Sequence, residues 1–117
     1  MSFRIDETTN MIRITRGDTG QFKIDLMNID GSIYELKAED LVQFTVKKSP
    51  SETAVLIQKT GLDIEIEPKD TSNLKYGSYY YDIQVTFADG RVNTVIDPAE
   101  FIITEEVTFW WKDCYVI

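Results

Sequence analysis

Apolar and polar residues alternate along most of this chain. Tyr79, Tyr81, Ile83, Val85 and Phe87 alternate with Tyr80, Asp82, Gln84 and Thr86. Phe22, Ile24 and Leu26 alternate with Gln21, Lys23 and Asp25, and Leu62, Ile64 and Ile66 with Asp63, Glu65 and Glu67. A period of two puts one residue class on each face of an extended strand, so the chain is expected to fold as strands that bury one face. Shorter strands are expected at Ile12–Thr15, Ile33–Leu36, Val42–Lys48, Ala54–Lys59, Arg91–Ile96 and Phe101–Thr104. Arg16-Gly17-Asp18, Asp30-Gly31, Thr60-Gly61 and Asp89-Gly90 read as turns, Lys47–Glu52 as an exposed loop, and Asp97-Pro98 as the end of the penultimate strand. About seven to nine short strands at this spacing predict an all-β fold, an antiparallel two-sheet immunoglobulin-like β-sandwich.

The segment Pro68–Gly77 breaks the alternation. Asp70 is expected to cap a single helical turn, Leu74 to point into the core, and Gly77 to release the chain into the next strand through a positive φ. Sandwiches of this kind cross between sheets at such a corner, where a tyrosine hydroxyl bonds back to the chain. Either Tyr79 or Tyr81 is placed to supply it. Phe22, Ile24, Leu26, Phe44, Val46, Ile64, Ile66, Leu74, Tyr81, Ile83 and Val85 form the expected core, with Tyr79 on the same face.

At 117 residues, 43% of them hydrophobic, the chain is long and apolar enough for one core, so residues 1–117 are read as a single domain. The sequence contains no histidine, which excludes a Ser-His-Asp triad, a Cys-His dyad and histidine-ligated metal sites. Cys114 is the single cysteine and cannot form an internal disulfide. A net charge of −8 disfavours a nucleic-acid backbone or an anionic membrane as partner. The N-terminal residues lack the apolar run of a signal peptide, and synthesis in a reducing cytoplasm is expected.

Few constellations carry chemistry. Arg16-Gly17-Asp18 matches an integrin-binding tripeptide, but a turn explains the same three residues. Asp63, Glu65 and Glu67, two apart beside Lys59 and Lys69, read as a solvated strand face rather than a catalytic pair or a calcium loop. No catalytic, cofactor-binding or metal-binding residue is assigned, and no enzymatic activity is expected. Tyr76 and Tyr80 offer at most a thin sugar-stacking surface, because Tyr79 and Tyr81 belong to the core face. The C-terminal stretch 108–117 is apolar without alternation. Phe109, Trp110 and Trp111 in succession cannot all face inward from one strand, so these three and Tyr115 are expected to bind a partner chain, with burial under a loop as the competing arrangement.

Several motifs recur together and in order: Arg16-Gly17-Asp18-Thr19; Asp40 to Lys48; Pro68-Lys69-Asp70-Thr71; Leu74-Lys75-Tyr76-Gly77 with Tyr80-Tyr81-Asp82-Ile83-Gln84; and Thr94-Val95-Ile96 followed by Phe101-Ile102-Ile103. Over residues 11–107 this set resembles small immunoglobulin-like domains encoded among the tail genes of tailed phages and prophages of Gram-positive bacteria. It is similar in kind to the N-terminal domain of baseplate upper proteins. The resemblance implies a non-enzymatic structural or assembly component of a tail or baseplate. It would need no cofactor, contact other tail proteins or copies of itself as a homo-oligomer, and reside in the virion. Baseplate upper proteins continue into a linker and a platform, which the residues up to Ile117 do not contain, so host recognition is not implied. The alternative is a carbohydrate- or cell-surface-binding module, which the same fold supports.

Overall fold

The computed structural model describes residues 3–105. Strands β1 (Phe3–Ile5), β2 (Ile12–Thr15), β3 (Gly20–Lys23), β4 (Leu41–Lys47), β5 (Ile57–Thr60) and β6 (Asp63–Ile66) precede a single helical turn, α1 (Pro68–Thr71). The long strands β7 (Gly77–Thr86) and β8 (Val92–Thr104) follow. A six-stranded sheet runs β1-β2-β8-β7-β4-β5, and β3 pairs with β6 in a separate two-stranded sheet. The fold is all-β apart from α1. Among the described residues no helix is long and apolar enough to cross a membrane.

The alternation in the sequence translates directly into one buried face. Val42, Phe44 and Val46 of β4, and Tyr79, Tyr81, Ile83 and Val85 of β7, are buried beside Phe101 and Ile103 of β8. Ile64 and Ile66 approach from the two-stranded sheet, and Ile24 and Leu26 from the chain just beyond β3; all join one cluster. The two sheets meet where the Phe22 and Phe44 rings pack edge to face at 5.4 Å. Ile12 and Ile14 of β2 and Ile57 of β5 complete the core. Two expected core residues are only partly buried. Phe22 lies in the narrow sheet, which leaves it partly exposed and stacked on Phe3 at 6.1 Å. Leu74 follows α1 at the rim of the cluster.

Several sequence expectations are corrected. The large sheet is mixed rather than wholly antiparallel, because β2 runs parallel to β8, from Ile12 opposite Phe101 to Thr15 opposite Thr104. The chain leaves β2 for the other sheet instead of turning back in a hairpin, so β2 meets a strand distant in sequence. Arg91–Ile96 and Phe101–Thr104 are not two strands. β8 is continuous, and its register against β7 shifts between Tyr81 and Ile83 and again between Ile83 and Gln84. Asp97-Pro98 falls in the first irregularity, where a residue without an N–H forfeits no ladder bond. Ile33–Leu36 forms no strand; only Met27 and Ile33 bridge across the Asp30-Gly31 turn.

The corner before β7 also differs in detail. Glu67, not Asp70, is the N-cap of α1. Asp70 sits three residues on, and its carboxylate accepts the Glu67 N–H at 2.7 Å. Pro68 occupies the first turn, where its missing N–H costs nothing. Lys59 of β5 closes on Asp70 at 2.8 Å, tying α1 to the edge of the large sheet. Tyr79 supplies the corner bond, its hydroxyl donating to the Lys75 carbonyl at 2.7 Å. Tyr81 donates instead to the Asn10 carbonyl, across the sheet.

Gly77 has φ +134, the positive value expected of it, and a Cβ there would meet nothing within 4 Å. A substitution therefore strains the backbone without creating a clash. Gly77→Val is expected to destabilise by about 1–2 kcal/mol, read from the shift in urea midpoint. A variant that unfolds with the parent would show that the corner relaxes to a negative φ.

Candidate functional site

Phe109, Trp110, Trp111 and Tyr115 lie outside the described residues. The remaining sequence features divide into those that serve the fold and those that line surfaces. Arg16-Gly17-Asp18 serves the fold. The Asp18 N–H donates to the Thr15 carbonyl at 3.1 Å, closing a turn around Gly17 at φ +83. The Gly17 N–H donates to the hydroxyl of Thr71 at 2.8 Å. Thr71 is fully buried, so this bond satisfies a polar atom inside the corner. Arg16 stacks its guanidinium over the Tyr76 ring at 4.3 Å. The tripeptide is thus the latch between the β2–β3 turn and α1, with its arginine engaged.

Asp63 and Glu65 lie on the exposed face of the two-stranded sheet, where the Gln21 amide donates to Glu65 at 2.7 Å. Glu67 lies between Lys59 at 3.6 Å and Lys69 at 3.7 Å. Among the described residues no three acidic or thiol side chains come together as a metal site.

The four tyrosines do not form a strip. Tyr79 and Tyr81 are buried, Tyr76 lies beneath Arg16, and Tyr80 alone opens onto the outer face of the large sheet. There it lines a shallow polar groove of about 230 Å³ with Gln43, Thr45, Lys47, Asp82 and Gln84. These are the outward positions of β4 and β7, brought level by the pairing of Gln43 with Gln84, Thr45 with Asp82 and Lys47 with Tyr80. Partial burial pushes the Asp82 carboxyl above its ordinary value, and the Lys47 ammonium opposes that shift. The groove offers amide, hydroxyl and carboxyl groups around one ring.

A larger groove, about 770 Å³, opens at the end of the molecule where β7 turns into β8. Its lining includes Met27, Ile29, Tyr34, Phe87, Val95 and Ile96. Met27 is 66% and Ile29 108% exposed, and exposed Ile33 bridges to Met27. The floor is built: Tyr34 packs edge to face on Phe87 at 5.9 Å, and its hydroxyl donates to the Asp40 carboxylate. That bond holds the Tyr34 proton and raises its pKa, while Asp40 is held below the usual carboxylate range by the same bond and by the Lys37 N–H. Arg91, also in the lining, holds its guanidinium 5.1 Å from the Phe87 ring. Sequence reasoning missed this groove because its apolar walls come from a loop and a hairpin far apart in the chain. The available signal was the apolar set Met27, Ile29 and Ile33 around a turn, where polar residues are the rule. Neither a protein-family model, nor a curated protein, nor a solved structure matches this chain.

Proposed function

We propose that this protein is a non-enzymatic assembly component of a phage or prophage tail or baseplate, acting through protein–protein contacts. The observation that carries the reading is the exposed apolar end, with Met27, Ile29 and Val95 open to solvent in the lining of one groove. Contiguous apolar surface of this kind is a mark of an interaction site. The ordered motifs that resemble tail-gene domains supply the biological setting. Within that reading the fold is an immunoglobulin-like sandwich. Support comes from the Tyr79 corner bond to Lys75 and from a sheet in which β8, β7, β4 and β5 are neighbours, facing the β3–β6 pair.

Antibody raised against the chain is expected to label the tail of phage particles induced from the source bacterium, by immunogold microscopy. Antigen confined to the soluble fraction, with unlabelled particles, would overturn the virion assignment. The second reading, a carbohydrate- or cell-surface-binding module, is favoured by one observation, the polar groove around Tyr80 with its Gln43, Gln84 and Asp82 side chains. Strong selective binding on a glycan array, abolished by Tyr80→Ala, would establish it in place of the first.

A further inference from the structure

We infer that the polar groove on the outer face of the large sheet seats one neutral sugar ring, stacked on Tyr80 and held by side-chain amides. This inference rests on the second reading, a carbohydrate-binding module, and deepens it by naming the ligand class.

The pairing of β4 with its two neighbours builds the floor. Gln43 stands opposite Gln84 on β7, and Thr45 stands opposite Asp82 on one side and Gln58 on the other. Outward positions of paired strands line up across a sheet, so three glutamine amides share two adjacent rows. The lining also includes Pro50 and Val55, from the connection between β4 and β5, and Pro98, from the irregular stretch of β8. The Gln58 amide donates to the Thr45 hydroxyl at 3.2 Å, and the Gln84 amide to the Thr94 hydroxyl at 3.4 Å. Both bonds leave the amide oxygen to accept. Among the described residues, the side chains of Gln43, Tyr80 and Lys47 have no hydrogen-bond, ion-pair or ring partner.

A sugar ring suits this set. Its C–H face lies against an aromatic ring, and its edge carries neighbouring hydroxyls that each donate and accept. A primary amide also donates and accepts in one plane, so Gln43 serves two adjacent hydroxyls at once. Charge narrows the class. Tyr80 lies between Glu100 on β8 and Lys47 on β4, so a charge of either sign on a ring stacked there meets a like charge. Asp82, in the same lining, tips the balance further against an anion. Size narrows it again. A volume of about 230 Å³ falls below the roughly 300–1,000 Å³ of sites that enclose drug-sized ligands, so one ring is seated and the rest of any chain stays in solvent.

The test titrates the isotope-labelled full-length chain with single sugars and follows the side-chain amide signals of Gln43, Gln58 and Gln84 by NMR. A neutral monosaccharide is expected to shift the Gln43 and Gln84 signals with a Kd of about 1–10 mM, the strength open to a ligand of about a dozen non-hydrogen atoms. The uronic acid of the same configuration should bind at least about 5-fold more weakly. Tyr80→Ala should weaken the neutral sugar about 10-fold and Gln43→Ala about 5-fold. Gln43→Ala leaves the buried face of β4 untouched, so it serves if Tyr80→Ala fails to fold. Three results would overturn the inference: no neutral monosaccharide moves these signals at about tenfold above that range, the uronic acid binds as tightly as its neutral parent, or the variants bind like the parent chain. A glycan array with ligands only among anionic or extended chains would leave the module reading standing and remove this one; an array with none would remove both.

Discussion

Replacing Phe44 with alanine is expected to cost about 3–5 kcal/mol of stability, the largest effect of any single truncation in this core. Phe44 is wholly inaccessible at the centre of β4. Its ring contacts Phe22 at 5.4 Å, Tyr81 at 5.3 Å and Phe101 at 6.2 Å, so it joins the two-stranded sheet to β7 and β8 at once. Removing it forfeits the burial of the ring and leaves a cavity bounded by rigid neighbours from three strands, which cannot collapse together. Urea unfolding at neutral pH measures the loss. Phe44→Leu, which refills much of the space, should recover more than half of it. A fall below about 1 kcal/mol for Phe44→Ala would mean that the two sheets do not meet at this ring.

Stability should also fall steeply with alkali between about pH 10 and pH 12, and Tyr81 should account for about 2–3 kcal/mol of that fall. Burial pushes the Tyr81 phenol up to about 12 from its ordinary value of 10.0. Below pH 10 the folded and unfolded chains both keep this proton, and stability does not depend on it. Above pH 10 the unfolded tyrosine ionises while the folded one does not, so unfolding is favoured increasingly until the folded group also ionises near pH 12. The hydroxyl donates to the carbonyl of Asn10, a residue at φ +62, and ionisation removes that donor as well as charging the interior. Tyr34, held by Asp40, shifts in the same direction, so the contribution of Tyr81 must be isolated. Tyr81→Phe should be less stable than the parent at pH 7 by about 1 kcal/mol for the lost hydrogen bond. It should also lose less on going to pH 11.5. Parallel pH profiles for parent and variant would show that the phenol ionises freely in the folded chain.

The faces of the strands were legible from the sequence alone. Side chains of an extended backbone point alternately to opposite sides whatever the strand pairs with, so the sequence places Phe44 and Val46, Ile64 and Ile66, and Tyr79, Tyr81, Ile83 and Val85 inward, where the fold buries them. The turns at Gly17, Gly31, Gly61 and Gly90, and the positive φ of Gly77, follow from the same local chemistry. Who pairs with whom is another matter. The parallel contact of β2 with β8, the bulged continuity of β8 through Asp97-Pro98, and the choice of Tyr79 over Tyr81 for the corner bond all depend on which distant segments arrive side by side. Local propensity carries no record of that. The partial exposure of Phe22 and Leu74 has the same origin, since alternation says which way a ring points and not how much of the opposite sheet is there to cover it. Local chemistry alone specifies a β protein with a single apolar face, a helical corner and an aromatic stretch in the sequence after β8. Only the tertiary structure placed Met27, Ile29, Tyr34, Phe87 and Val95 around one groove, because a concave surface is made where separate loops converge, and convergence is a property of the folded chain.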